Sequence, residues 1–144
     1  MDLTSLVFCE AQPRHFDAIV RMEEEAGGSS LVVLTGGHAL AEAIGRGHYV
    51  TVAIHEDEVA GWIWFGVDMG RGAEEVGYVY RVAVTRPRAR SGVGAALLAH
   101  AQSTLAARGV TRVRTTVDAD NEDARAFFES LGYRIDSLTM ERAL

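Results

Sequence analysis

The segment Tyr78–Leu98, YVYRVAVTRPRARSGVGAALL, constrains the fold of this chain more than any other. Tyr78–Val84 reads as a buried strand and Arg86-Pro-Arg88 as a basic turn. Gly92 and Gly94 form a loop, and a helix follows from Val93. A strand that passes through a glycine loop into a helix sets the first helical turn at the end of the strand. That turn leaves backbone N–H groups unpaired and carries the positive end of the helix dipole. Glycines remove the side chains that would keep a phosphate away from those donors. Arg86, Arg88 and Arg90 add positive charge, so the segment is suited to a phosphate or pyrophosphate.

Two common phosphate loops do not fit. A P-loop closes on Gly-Lys-Ser/Thr, and none of the 144 residues is lysine. A dinucleotide fingerprint needs a third glycine where Leu97 stands. Asp118 lies where a ribose-binding carboxylate would be sought, but a Rossmann unit continues as repeated strand–helix–strand, and too little chain follows. A glycine turn that only permits close packing is the plain structural alternative.

The strand–basic turn–GxG–helix segment resembles the acyl-CoA-binding motif of GNAT-type N-acetyltransferases. Some thirty residues later, Asn121-Glu-Asp-Ala124-Arg-Ala-Phe127-Phe128-Glu-Ser-Leu131-Gly132-Tyr133 is similar to the second signature of that family, N-x-x-A-x-x-hydrophobic-Tyr-E-x-x-G-aromatic. The resemblance covers the rest of the chain in outline. It implies an α/β fold with a mixed, mostly antiparallel central sheet of six to seven strands, flanked by about four helices, in a single domain over residues 1–144. It also implies a site for acetyl-CoA made of Val82, Ala83, Val84, Arg88, Arg90, Ser91, Gly92, Val93, Gly94, Ala95, Asn121 and Phe128. Two positions depart from the pattern. Ala89 stands where the family usually has Arg or Gln, and Phe128 stands where it has a tyrosine that often protonates the departing thiolate.

Composition agrees with a small globular enzyme or binding domain. The chain has 48% hydrophobic and 24% charged residues. No apolar run reaches the length of a membrane span, and Met1–Leu6 does not read as a signal peptide. Cys9 is the single cysteine, so no internal disulfide forms and a reducing cytoplasm suffices. In an apolar strand, Cys9 reads as core. A net charge of −6 argues against a nucleic-acid surface. The expectation is a cytoplasmic protein without a metal, without a membrane or nucleic-acid partner, and with a homodimer left open. The use of arginine alone as the basic residue suggests a GC-rich bacterial genome.

Periodicity outlines the elements. Leu6–Cys9 reads as a strand, and Pro13 opens a helix that ends at Gly27-Gly28. Thr35–Arg46 reads as one short helix. Tyr49–Ile54 and Val59–Val67 make a hairpin, Glu75–Val84 the central strand, and Val93–Arg108 the helix after the loop. Arg112–Asp118 is strand again. Ala124, Phe127, Phe128 and Leu131 share a helix face. Tyr133–Asp136 and Leu138–Ala143 read as two last strands.

In this family an amine attacks the thioester directly, without an acyl-enzyme. The resemblance implies that the central strand splays from its neighbour at the glycine loop, so that backbone groups around Val82–Val84 hold pantetheine and the acetyl oxygen. Glu75, which opens that strand, is a candidate base. Tyr80, taken to share a face with Tyr78, Val82 and Val84, could order a water or serve as the acid, or both tyrosines could be packing. His48 is a further base candidate. Glu23-Glu24-Glu25 could attract a cationic amine or form a solvated helix face. Trp62 and Trp64 share one sheet face and could flank a substrate, a subunit contact or the core. The expected activity is acetyl transfer from acetyl-CoA to a primary amine of a small molecule or peptide N-terminus. The alternative is a non-catalytic acyl-CoA-binding sensor or regulatory module.

Overall fold

The computed structural model describes residues 3–27, 31–89 and 91–144. Among these, five strands form one sheet in sequential order: β1 (Val7–Glu10), β2 (Tyr49–His55), β3 (Glu58–Met69), β4 (Glu75–Val84) and β5 (Val113–Thr115). The first four are antiparallel, and β4 pairs with β5 in parallel. Five helices complete the fold: α1 (Pro13–Glu25), α2 (Leu31–Thr35), α3 (His38–Gly45), α4 (Val93–Ala107) and α5 (Glu122–Ser130).

Each face of the sheet carries its own core. On one, Ile63, Phe65 and Val79 pack with Leu97, Leu98 and Leu105 of α4 and Phe128 of α5. On the other, Val50, Val52 and Trp62 pack with Ile19 and Met22 of α1, Val32 of α2 and Leu40 and Ala43 of α3. The parallel β4–β5 connection needs a crossover, and α4 supplies it. Close approach of α4 depends on absent side chains. A Cβ on Gly61 would stand 2.8 Å from the Ala83 carbonyl and 3.0 Å from Leu97 Cδ1, and one on Gly77 would stand 2.6 Å from Leu105 Cδ1.

The sheet is smaller than the expected six to seven strands, and there are five helices rather than about four. Residues 133–144 alternate in polarity but form no strand. Side chains pin the start of this segment instead: the Tyr133 hydroxyl accepts from Gln102 at 2.7 Å, and Asp136 pairs with Arg71 at 3.1 Å and Arg114 at 3.4 Å. Beyond it Leu138 and Met140 are exposed. The helix expected over Thr35–Arg46 starts only at His38, as α3; Thr35 instead ends α2, and Gly36-Gly37, both with positive φ, separate the two. The expected strand Arg112–Asp118 is confined to β5, and Gly28 at the expected end of α1 lies outside the described residues.

Candidate active site

The loop expected to hold phosphate stands at the end of β4. Thr85 donates its backbone N–H to Ala60 O at 2.9 Å, which ends the β3–β4 ladder, and Arg86–Arg88 form one 3-10 turn. Gly92 then starts α4 with φ 94°, a left-handed conformation that glycine adopts without steric cost, and no side chain caps the helix. The first-turn N–H groups of Val93, Gly94 and Ala95 therefore face outward as donors at the positive end of a 15-residue helix. The side chain of Val93 is buried in the α4 core, so this residue offers its backbone alone.

The arginines contribute less directly. Arg88 pairs with Glu58 Oε2 at 3.4 Å, and Arg86 Nη2 donates to the Glu25 carbonyl at 3.0 Å, tying the end of α1 to the loop. The Ser91 hydroxyl turns inward onto the Arg88 carbonyl. Arg90 lies outside the described residues. Gly94 has a second purpose: a Cβ there would stand 3.2 Å from Phe127 Cζ, so glycine also admits the α5 ring.

β4 separates from its neighbour where chemistry is expected. Pairing with β5 runs only over Gly77–Val113, Tyr78–Arg114 and Val79–Thr115, which leaves residues 80–84 without a β5 partner. On the other side, Trp64 pairs with Arg81 and Phe65 with Val79, so Tyr80 is the extra residue of a β-bulge. The bulge corrects the expected alternation. Val82 and Val84 lean on the α4–α5 core, whereas the Tyr80 ring lies on the opposite face, beside Tyr78 (5.0 Å between centroids), Trp64 (5.2 Å) and His48 (5.0 Å, stacked). The Tyr78 hydroxyl meets Thr116 Oγ1 across the gap beyond β5. Gly66 makes room for this cluster, since a Cβ there would stand 3.0 Å from the His48 ring.

The titrating groups of the cluster have defined states. Trp64 Nε1–H donates to His48 Nδ1 at 3.0 Å, so the neutral ring carries its proton on Nε2 and has no free basic nitrogen. Burial, then the Arg46 charge, holds the His48 pKa below its ordinary value against an opposing pull from Asp68. Burial, then Asp68 and Tyr78, raises the Tyr80 pKa, which keeps its hydroxyl protonated.

Other expected residues are placed elsewhere. Glu75 sits at the far end of β4, nine residues from Val84, and faces Arg108 at 3.8 Å. At ~3.3 Å per residue that is roughly 30 Å from the loop and about 16 Å from Tyr80, so Glu75 does not reach the open stretch of β4. Asn121 caps α5, its Oδ1 accepting from the Ala124 N–H at 3.1 Å. Phe128 is buried edge-on against Phe127 and Tyr133 and contributes to the core.

One feature had no clear signal in the sequence. Glu23, at 4% exposure, accepts from Trp62 Nε1 at 3.2 Å and from Arg81 Nε at 2.8 Å. Its carboxylate is paired with Arg81 inside the fold and is not free to attract a cationic amine. The partners lie 58 residues apart, and only the packing of α1 on β3 and β4 unites them.

Residues 13–133 match the acetyltransferase (GNAT) family, and the chain belongs to that family of acyltransferases. It is 40% identical over 90 residues to a mycothiol acetyltransferase of Kocuria rhizophila, a match that covers 61% of this chain and 30% of that protein. A mycothiol acetyltransferase of Clavibacter michiganensis is 39% identical over 79 residues, 55% of this chain and 24% of that one. The chain thus spans under a third of the length of these curated relatives. The fold superimposes on a transcriptional regulator from Bacillus halodurans with a TM-score of 0.80 at 17% identity, covering 96% of this chain and 99% of that one. Among the described residues, no helix is long and apolar enough to cross a membrane.

Proposed function

We propose that the protein is an N-acetyltransferase that moves the acetyl group of acetyl-CoA to a primary amine of a small molecule or peptide N-terminus, with both substrates bound together. One juxtaposition supports this reading above all: the uncapped start of α4 adjoins the stretch of β4, residues 80–84, that has left β5. These residues fit acetyl-CoA. The N–H groups of Val93, Gly94 and Ala95 would hold the pyrophosphate, with Arg88 released from Glu58 to assist. Backbone groups of Val82–Val84, freed by the separation, would hold pantetheine and the acetyl oxygen. A contact of the latter kind is typically worth ~3–4 kcal/mol in the transition state.

Bound acetyl-CoA supplies an activated acyl group. The transfer forms an N–C bond, breaks the C–S bond, takes one proton from the amine and returns one to sulfur. Tyr80 is the donor to sulfur in this reading, because its hydroxyl stays protonated and sits at the bulge beside the open stretch. The proton from the amine passes to water. His48 is locked by Trp64 and Glu75 is remote, so the acceptors that suit the site best need the least basic assistance. Neutralising a lysine-like amine at pH 7 costs about 4.6 kcal/mol, whereas the α-amine of a peptide, with a pKa near 8, costs about 1 kcal/mol, and a free α-amino acid, whose carboxylate raises the amine, lies between the two. The name of the curated relatives adds mycothiol chemistry to the acceptors to be screened.

Calorimetric titration with acetyl-CoA, followed by a screen for amine-dependent release of CoA thiol, tests the proposal. One-to-one binding in the micromolar range and amine-dependent turnover are expected, and Tyr80→Phe should lower kcat by about 100-fold. No binding at millimolar acetyl-CoA would overturn the assignment of the loop, and binding without turnover on any amine would overturn the transfer.

A further inference from the structure

We infer that Arg81 is the carboxylate-binding residue of the acceptor site, and that the acceptor is a small amine that itself bears a carboxylate, such as an α-amino acid. This rests on the acetyl-transfer reading and gives its acceptor a chemical class.

The bulge at Tyr80 sets Tyr80 and Arg81 side by side on the α1 face of β4, beyond the last residue paired with β5. Glu23 takes the Nε edge of the guanidinium, at 2.8 Å to Oε1 and 3.1 Å to Oε2. Glu23 is its only charged partner among the described residues, and neither Nη bonds to any of them. The side chain is 41% exposed and Glu23 fixes its Nε edge, which leaves the Nη donors for a ligand. A guanidinium held this way presents parallel N–H donors in the geometry that a planar carboxylate matches with two hydrogen bonds. The support beneath it is costly. Glu23 is desolvated and is also bound by the buried indole of Trp62, although burying a carboxylate adds little stability compared with an apolar side chain. A fixed, half-exposed cation beside the candidate proton donor is what that cost provides. An amine joined by a short linker to a carboxylate on Arg81 would be directed toward the open stretch of β4.

The experiment pairs each of several α-amino acids with its own carboxamide and compares kcat/KM for acetylation in the wild-type protein and in Arg81→Gln and Arg81→Lys. The amide has the less basic amine, so any preference for the acid opposes intrinsic reactivity. The expected result is at least about a ten-fold preference for the acid, carried in KM. It should collapse toward unity in Arg81→Gln and be partly retained in Arg81→Lys. A ratio near unity in the wild type, or one unchanged in Arg81→Gln, would overturn the inference.

The same acids and amides are also titrated in the absence of acetyl-CoA, with tryptophan fluorescence as the readout, since Trp62 touches Glu23. Saturable binding of the acids that is absent for the amides and lost in Arg81→Gln would support the carboxylate site even if no acetylation occurred, in which case only the transfer reading would fall. Equal responses to acid and amide would sink the site whether or not acetylation occurs.

Discussion

On the α4–α5 face of the sheet, glycines set how near a helix or a ring can come. On the α1–α3 face, charged and aromatic side chains distant in sequence meet one another. Gly61, Gly77 and Gly94 each stand where a Cβ would press on Ala83, Leu105 or Phe127. The proposed phosphate site on that side consists of backbone N–H groups and needs no particular side chain. The opposite face depends on Glu23 with Arg81 and Trp62, and on His48 with Trp64 and Tyr80. Recognition by backbone tolerates substitution of neighbouring side chains, as Ala89 at the family's usual Arg or Gln position illustrates. Recognition by side chains ties specificity to a few identities. In the proposed reading the phosphate contacts fall on the first face, and the proton donor Tyr80 and the choice of acceptor on the second.

The largest expected effect breaks the first face. Gly94→Glu puts a like charge and a side chain among the first-turn donors of α4, and acetyl-CoA affinity should fall by at least about 100-fold, close to 3 kcal/mol. Because a Cβ at this position also presses on Phe127, Gly94→Ala serves as the comparison. The ring tip can yield by a few tenths of an ångström, so alanine should cost under about ten-fold. Calorimetry on both variants checks this. Equal losses for Ala and Glu would mean that the residue matters for α5 packing and that phosphate binds elsewhere.

On the other face the expected signature is asymmetry. Arg81→Met leaves the buried Glu23 carboxylate with only the Trp62 N–H and should destabilise by about 3 kcal/mol. Glu23→Gln leaves a half-exposed guanidinium that water can solvate, and keeps an acceptor for Trp62, so about 1 kcal/mol is expected. Equilibrium denaturation measures both. Equal costs would show that the pair behaves like a surface ion pair and that Glu23 is not the buried support described above.

This contrast between the faces explains what the sequence discloses. Local backbone chemistry leaves local marks. Gly92 and Gly94 reveal the loop, Pro13 the start of α1, and the Asn121 signature the start of α5, even though Asn121 proves to be a cap. The side of β4 on which Tyr80 lies was not legible, because one bulged residue shifts a period-two pattern and nothing in YVYRVAV announces the insertion. Glu75 lies on the strand that carries the candidate site, yet an extended strand holds its two ends far apart. Glu23 and Arg81 are 58 residues apart and meet only through tertiary packing. The alternation over residues 133–143 was visible, but it reports a capacity to pair rather than a partner, and here Asp136 and Tyr133 are held by side chains.

A smaller effect sharpens the assignment of the acid. Phe128→Tyr restores the family's residue at a position that is 8% exposed and packed edge-on against two rings. An added hydroxyl without a partner should cost about 1 kcal/mol in thermal unfolding. If Tyr80 already donates the proton, kcat should rise by less than about ten-fold. A rise of 100-fold or more would show that the chain lacks a working acid and would remove Tyr80 from that role.

The smallest expected effect is a pH dependence of stability. Burial lowers the pKa of His15, His48 and His100, assisted at His15 by Arg14 and at His48 by Arg46. A lowered histidine pKa means that the unfolded chain takes up the proton first. The stabilisation is therefore complete above the unfolded value, about 6.5, and is lost as pH falls below it. Glu74 also has a lowered pKa, held down chiefly by hydrogen bonds from its own and the Gly72 backbone N–H groups, but its contribution disappears only as pH falls below its ordinary 4.5. Melting temperatures between pH 7.5 and 5.5 thus isolate the histidines, and a shallow decline is expected. Protonated His48 would bring a proton to Nδ1 against the Trp64 N–H, so His48→Gln, whose carbonyl can replace that acceptor, should flatten part of the decline. His100 stacks on Phe8 outside this cluster, so His100→Gln should flatten its own share independently. A wild-type melting temperature that rises on acidification would mean that these rings are charged in the fold. His48 could then not be the neutral acceptor that Trp64 holds.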